Sequence, residues 1–268
     1  MTRELAPHMN NNNALLGSSG FVGSTLLAQT TFAGHFRSTN IQELSNNKWD
    51  LVVCAAAPGA KWIANQDPDA DRTNIDTLIQ HIDQTDCQRF VLISTVDVFA
   101  DPIGVDEQSL VKEDGLHAYG LNRRALEKFV EGRFENHLII RLPGLVGPGL
   151  RKNVIFDFQN NNNLEMIDSR SVFQFYPMNR LWRDIQVALD QNLALVHLTA
   201  EPISVADIAT RGFKLKFEQV LELEPVRYDF RSIHSELFGG RGGYQYNRED
   251  SLQAIQVYAH SDASGLTN

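Results

Sequence analysis

The chain has 268 residues, of which 43% are hydrophobic and 21% are charged, and its formal net charge is −9. This length suffices for one large domain, or for a core domain with a smaller lobe packed on it. The negative charge argues against a general nucleic-acid binder and against attraction to an anionic membrane surface, but it allows a local basic pocket.

The cysteines and the N-terminal residues indicate the cellular compartment. Only Cys54 and Cys87 are present, so the chain has neither a disulfide framework nor a zinc-site spacing. Residues 1–13 are polar and lack the apolar segment of a signal peptide. No apolar run approaches the roughly 20 residues that span a bilayer. We therefore expect a cytoplasmic protein with no metal, no membrane and no nucleic acid as a partner.

Residues 13–29 predict a strand, a glycine turn and a helix. An apolar run at 14–16 reads as a buried strand, and the residues from Ser24 onward suit a helix. Between them lie three glycines at a spacing of three: Gly17, Gly20 and Gly23. Such a turn lets the backbone approach a pyrophosphate, whose charge the helix N-terminus favours. Three spaced glycines alone are equally compatible with an ordinary turn in another α/β protein.

Short apolar strands then alternate with helices. Strands are predicted over residues 32–36, 51–55, 90–93, 138–140 and 194–198, and helices over 67–83, 116–133 and 179–189. Only 13 residues, 38–50, separate the second strand from the third, which is short for a full crossover. This alternation predicts an α/β protein with a doubly wound, Rossmann-type parallel sheet.

The second half of the chain shows a looser pattern. We expect residues 1–150 to form a dinucleotide-binding core, which is completed by about residues 193–212. Residues 151–268 would form mainly a small substrate-binding lobe. Because no flexible linker or internal repeat is visible, the lobe should pack on the core as one unit.

Polar residues after the predicted strands are candidates for catalysis, because ligands of open α/β sheets bind beyond the carboxyl ends of the strands. Ser94 and Thr95 end the fourth strand. Tyr119 and Arg123 are four residues apart on a helix, so they share one face. A neighbouring cation lowers the pKa of a phenol, which can then exchange a proton with a carbonyl or carbinol. The alternative is an ordinary exposed pair of polar residues.

These residues resemble the extended short-chain dehydrogenase/reductase family, of the NAD-dependent epimerase/dehydratase kind, over about residues 13–212. The trimmed region after Arg37 is most similar to its dTDP-4-dehydrorhamnose reductase-like members. The resemblance implies NAD or NADP as the cofactor, a nucleotide sugar or similar small molecule as the substrate, and a homodimer as one assembly. It also implies a set of cofactor-binding residues: Gly17, Ser19, Gly20, Phe21, Val22, Gly23, Arg37, Ser38, Ala55, Ala56, Ala57, Asn74, Ser94, Tyr119, Arg123 and Pro143.

The resemblance also assigns the catalytic roles. Tyr119 would be the acid/base, Thr95 would polarise the substrate oxygen, and Arg123 would hold the ribose and tune Tyr119. The family has lysine where this chain has Arg123, which keeps the charge but cannot release a proton at working pH. Sugar-dehydrating members carry an Asp-Glu pair after the threonine, and here only Asp97 remains. Asp97 is therefore a fourth catalytic candidate or a turn-capping residue, and a dehydratase is disfavoured.

The leading hypothesis is an NAD(P)-dependent oxidoreductase or epimerase acting on a nucleotide-linked sugar. The alternative is a non-catalytic NAD(P)-binding sensor or regulatory protein: Arg123 favours the sensor, whereas Thr95 and Tyr119 favour the enzyme. In NAD-binding members an acidic residue at the end of the second strand holds the ribose hydroxyls. Here Arg37 and Ser38 follow that strand and no carboxylate does, which favours NADP if the strand ends where predicted. Near Arg141, charge for a substrate phosphate could come from Arg151, Lys152, Arg180 or Arg183, and each of the four is equally compatible with an ordinary exposed surface residue.

Overall fold

The computed structural model describes residues 12–261, so most of the polar N-terminal stretch (residues 1–11) and residues 262–268 lie outside the described residues. In chain order the strands are β1 (Asn13–Leu16), β2 (Gly34–Phe36), β3 (Lys48–Cys54), β4 (Asp86–Thr95), β5 (His137–Leu142), β6 (Gly144–Val146), β7 (Val172–Phe173), β8 (Phe175–Pro177), β9 (Leu195–His197) and β10 (Ile203–Ser204). Six of them form one parallel sheet in the order β2-β1-β3-β4-β5-β9.

Helices cover both faces of this sheet. The helices of the described chain are α1 (Phe21–Gln29), α2 (Lys61–Gln66), α3 (Pro68–Asp83), α4 (Ala118–Arg133), α5 (Val154–Asn160), α6 (Leu181–Asp190), α7 (Val205–Asp207) and α8 (Arg248–Ser261). On one face, α1 and α6 bury apolar residues such as Leu26 and Ile185. On the other face, α3 and α4 bury residues such as Ile75 and Leu126. This arrangement confirms the predicted doubly wound α/β fold.

The strand register brings the predicted site segments to one edge of the sheet. Leu16 at the end of β1 pairs with Cys54, and Cys54 pairs with Leu92. Thr95 at the end of β4 pairs with Leu142 at the end of β5. The residues that follow these strands therefore lie beside one another, as expected for the carboxyl ends of parallel strands.

The connection between β2 and β3 is trimmed, as the sequence predicted. A short 3₁₀ helix, Ile41–Asn46, replaces a full crossover helix, and its Ile41 and Leu44 are buried against the sheet. The strand β2 begins at Gly34, later than predicted, so Phe32 lies before the strand and not in it. The strand ends at the predicted residue, Phe36. Arg37 and Ser38 therefore follow directly after this strand.

Beyond β5, the chain forms smaller sheets around a second core. The strand β6 pairs with β8, and β7 pairs with β10. Helices α5 and α8 pack on these strands through buried residues such as Ile155, Leu252 and Ile255. The assignment of a separate substrate-binding lobe stays a prediction. Among the described helices, none is both long and apolar enough to cross a membrane.

Candidate active site

A cavity of about 640 Å³ opens at the carboxyl edge of the parallel sheet. Its walls come from the core and from the residues beyond β5, including Leu150, Phe173 and Tyr228. Eight of the predicted cofactor-binding residues line it: Phe21, Val22, Ala55, Ala57, Ser94, Tyr119, Arg123 and Pro143. The four predicted catalytic residues line it as well: Thr95, Asp97, Tyr119 and Arg123. The structure thus brings together segments that are far apart in the sequence.

The glycine turn has the geometry that close backbone contacts require. Gly17 has a φ of +79°, and a Cβ there would lie 2.4 Å from the Ala55 carbonyl oxygen. A Cβ on Gly23 would lie 2.1 Å from the Gly17 carbonyl oxygen. At Gly20, which caps α1, a Cβ would have only the Gly17 oxygen within 4 Å, at 3.3 Å. Gly17 and Gly23 therefore serve packing, while the Gly20 side of the turn is open and fits a pyrophosphate at the helix N-terminus.

Apart from the residues of the glycine turn and of the end of β2, two predicted cofactor residues do not line the cavity, Ala56 and Asn74. The small side chain of Ala56 packs against the sheet core. Asn74 is exposed on α3, whose buried positions are Asp71, Ile75, Leu78 and Ile82, so it lies outside the cavity walls and its cofactor contact stays a prediction. The asparagine at the cavity is Asn65 on α2, whose side-chain oxygen accepts a hydrogen bond from the Tyr119 N–H at 3.0 Å. Its short helix carries no periodic signal that could have identified it.

Three other predicted residues lie near the glycine turn and outside the cavity walls. Ser19 is exposed within the turn itself. Arg37 and Ser38 are exposed after β2, and the last carbonyl of that strand, on Phe36, accepts the Gly17 N–H at 2.8 Å. The end of β2 is therefore attached to the turn, which places Arg37 and Ser38 beside it.

Tyr119 and Arg123 are buried, which excludes the alternative of an ordinary exposed pair. Helix α4 begins where the His117 Nδ1 accepts the Gly120 N–H at 3.0 Å. Tyr119 is 7% exposed and lines the cavity beside Thr95. The guanidinium carbon of Arg123 lies 4.0 Å from the centroid of the tyrosine ring, a cation–π contact.

Arg123 is held by protein groups on two sides. Its Nη1 donates to the buried carboxylate of Asp71, and its Nη2 donates to the Pro58 carbonyl. Its Nε is buried and has no hydrogen-bond partner among the described residues. Burial raises the pKa of Tyr119 to about 12, and the attraction of Arg123 only partly opposes this. The predicted net lowering of the phenol pKa is therefore wrong, because desolvation exceeds the effect of the cation.

Asp97 connects the core to two neighbouring elements. Its N–H donates to the Thr95 hydroxyl at 3.1 Å, so Thr95, and not the Asp97 side chain, caps this turn. The Asp97 Oδ1 accepts hydrogen bonds from Lys61 Nζ at 2.8 Å and from the Tyr228 hydroxyl at 2.9 Å. Asp97 Oδ2 lies 3.5 Å from the Thr95 hydroxyl. Sequence analysis missed Lys61 and Tyr228, since no motif marks either residue.

Of the basic residues proposed to bind a substrate phosphate, only Lys152 lines the cavity. No ion pair involves Lys152 within the described part of the chain, and a Cβ on Gly59 would lie 3.1 Å from its Nζ. Arg141, at the end of β5, is buried in an ion pair with Glu127 at 2.7 Å. Among residues 12–261, no three His, Cys, Asp or Glu side chains are grouped so that they could hold a metal ion.

Comparison with solved structures identifies proteins of the same fold. The chain is similar to the enzyme WbmG of Bordetella bronchiseptica in complex with NAD and UDP, with a TM-score of 0.75, 16% identity and 98% of each chain covered. It is similar to a dTDP-4-dehydrorhamnose reductase from Clostridium acetobutylicum, with a TM-score of 0.73, 17% identity, and 95% of this chain and 99% of that chain covered. It is also similar to a UDP-galactose 4-epimerase, with a TM-score of 0.72, 18% identity, and 95% of this chain and 99% of that chain covered. No protein-family model and no curated protein matches the sequence.

Proposed function

We propose that the protein is an NAD(P)-dependent oxidoreductase or epimerase that acts on a nucleotide-linked sugar. The observation that carries this proposal is the single cavity that joins the glycine-turn helix, through Phe21 and Val22, to the buried Thr95 and Tyr119. A dinucleotide site and a proton donor are then adjacent, as hydride transfer to a sugar carbonyl requires. The nicotinamide would supply the hydride chemistry, while the protein orients it and handles the proton.

The glycine turn and the N-terminus of α1 would hold the pyrophosphate through free backbone N–H groups. Ala55 and Ala57 are small, so a flat cofactor could lie against them. The unpartnered Nε of Arg123 would donate a hydrogen bond to a ribose hydroxyl. Arg37 and Ser38 offer a guanidinium and a hydroxyl without a carboxylate, which supports NADP over NAD. The similar WbmG structure contains NAD, so the preference for NADP rests on this chain's own residues.

Tyr119 is suited to donate a proton. With its pKa raised to about 12 by burial, the phenol is protonated at neutral pH. Thr95, which lines the cavity together with Tyr119, would polarise the substrate oxygen that receives this proton. These protonation states favour the direction in which a carbonyl is reduced to an alcohol.

The substrate would lie between this pair and Lys152. Lys152 lines the cavity and forms no ion pair within the described residues, so its ammonium can attract a phosphate of a nucleotide sugar. The structural similarity to the UDP-galactose epimerase and to the dTDP-4-dehydrorhamnose reductase supports this class of substrate.

A non-catalytic dinucleotide sensor is the second candidate. One observation favours it: Arg123 stands at the position of the family's lysine and is fixed between Asp71 and Pro58. A guanidinium cannot release a proton at working pH, so it cannot replace lysine in a proton relay.

Turnover of a panel of nucleotide sugars, followed by the absorbance of NADH and NADPH, separates the two candidates. For the enzyme, we expect Tyr119→Phe to lower the rate by about 10²- to 10⁴-fold while cofactor affinity is kept. The control is Tyr244→Phe, which also removes a phenol hydroxyl, one that binds Asp229 away from the cavity. Cofactor binding without turnover of any panel member would favour the sensor, and full activity in Tyr119→Phe would reject the proposed mechanism.

A further inference from the structure

We propose that Trp62 forms one wall of the sugar subsite, where its indole ring packs against the sugar of a nucleotide-linked substrate. Because it concerns the substrate, this role rests on the proposed function. The observation behind it is an exposed tryptophan at the cavity, on a short helix that is hydrogen-bonded to the proposed catalytic residues on both sides of that tryptophan.

Trp62 differs from the other two tryptophans in its surroundings. It is 67% exposed and lines the cavity, whereas Trp49 is 5% exposed and Trp182 packs on Phe32 with ring centroids 5.6 Å apart. Within residues 12–261, the indole of Trp62 has neither a hydrogen bond nor a contact with another ring. Ligand pockets typically bury the ligand against aromatic side chains, and a tryptophan combines a large apolar face with a polar N–H. The ring is therefore available to a ligand in the cavity.

Two hydrogen bonds fix helix α2 beside the proposed catalytic residues. On one side of Trp62, the Lys61 Nζ donates to Asp97 Oδ1 at 2.8 Å. On the other side, Asn65 Oδ1 accepts the N–H of Tyr119 at 3.0 Å. Because Trp62 lies between these two contacts, its backbone is held at the end of the cavity that contains the proposed proton donor.

The sugar is the part of the ligands that fits this position. The pyrophosphate and adenosine of a dinucleotide would lie at the glycine turn, which is attached to the end of β2, two strands away from β3 and α2. The base of a nucleotide sugar lies farther from the proton donor than the sugar does, because the diphosphate separates them. An aromatic ring near Tyr119 therefore meets the sugar, packs on the apolar face formed by its C–H bonds, and excludes water from the reacting carbon.

The test compares UDP-glucose with UDP, which differ only in the glucosyl group, on the full-length protein without cofactor. We expect Trp62→Ala to weaken the binding of UDP-glucose by about tenfold in calorimetric titrations and to leave the binding of UDP unchanged. Trp62→Phe keeps a flat ring and should retain most of the affinity. The control is Ile63→Ala, which changes a 49% exposed residue of the same helix that lies outside the cavity walls, and it should bind both ligands like the wild type.

Tryptophan fluorescence reports the same contact in the wild type. UDP-glucose should shift the emission to shorter wavelength because it covers Trp62, whereas UDP should not, and Trp62→Phe should abolish the shift. Since Trp62 is exposed, the melting temperature of Trp62→Ala should stay within about 2 °C of the wild type. Should this variant nevertheless fail to fold, the wild-type spectra and Trp62→Phe decide the question.

Four results would overturn the proposal. An equal loss of affinity for UDP in Trp62→Ala would assign the ring to the base instead of the sugar. The other three are an unchanged affinity of Trp62→Ala for UDP-glucose, an equal loss in Ile63→Ala, and a wild-type emission spectrum that UDP-glucose does not change. Binding is measured without a dinucleotide and without turnover, so inactivity towards the panel of nucleotide sugars would refute the proposed function and leave this result unaffected.

Discussion

Substitution of Gly20 by valine would test the cofactor site with little effect on the packing of the fold. Gly20 caps α1 with φ −77° and ψ 171°, a conformation that any residue adopts. A Cβ there meets only the Gly17 carbonyl oxygen, at 3.3 Å, so a small local shift accommodates it. We expect a stability loss of about 1 kcal/mol, the size of a change at a helix N-cap. The branched side chain would nevertheless occupy the open side of the turn, where the pyrophosphate is expected.

Gly23→Ala is the matched variant with the opposite expected result. Its Cβ would lie 2.1 Å from the Gly17 carbonyl oxygen and 2.8 Å from the Gly17 carbonyl carbon, so backbone must move. Such overpacking costs about 1–3 kcal/mol. In a chain of this size we expect the melting temperature to fall by about 2–4 °C per kcal/mol.

Calorimetric titration with NADPH and NADH, together with thermal unfolding, distinguishes the two variants. Gly20→Val should weaken the Kd by about 100-fold, which corresponds to about 2.7 kcal/mol, with a melting temperature only about 2–4 °C lower. Gly23→Ala should lower the melting temperature markedly. If Gly20→Val binds both cofactors as tightly as the wild type, the site has been misplaced. A normal melting temperature in Gly23→Ala would refute the packing argument.

Three further predictions concern charged groups. Arg123→Met should destabilise the protein by about 3–5 kcal/mol in urea unfolding, because it leaves the buried Asp71 without its cation. Arg123→Lys should retain most of the stability, and an unchanged urea midpoint in Arg123→Met would contradict the prediction. Arg37→Ala should weaken NADP binding by about tenfold and leave NAD binding unchanged in parallel titrations, and equal wild-type affinities for NAD and NADP would refute the preference. Burial lowers the pKa of His197 to about 4, below its usual value. The contribution of neutral His197 to stability is therefore present above about pH 6.5 and is lost as the pH falls towards 4. The free energy of unfolding should fall by at most about 1.4 kcal/mol per pH unit in this range. His197→Gln should flatten the acid side of the stability curve, and an identical pH dependence in both proteins would show that another group is responsible.

The sequence alone was sufficient for the features that local patterns encode. The glycine turn, the apolar strands and the helix that carries Tyr119 and Arg123 were all predicted from the spacing of nearby residues. These predictions held because side-chain periodicity and glycine conformation depend on short stretches of chain. The end of β2 at Phe36 and the trimmed connection after it also followed from local lengths.

Only the tertiary structure decided which polar groups share the cavity and whether each of them is protonated. Asn65 lines the cavity and accepts the Tyr119 N–H, and Lys61 meets Tyr228 across 167 residues of sequence. The net direction of the Tyr119 pKa shift likewise depended on burial, because the loss of hydration destabilises the phenolate more than Arg123 stabilises it. Desolvation and contacts between distant segments arise only when the whole chain is packed, so no local spacing could have revealed them.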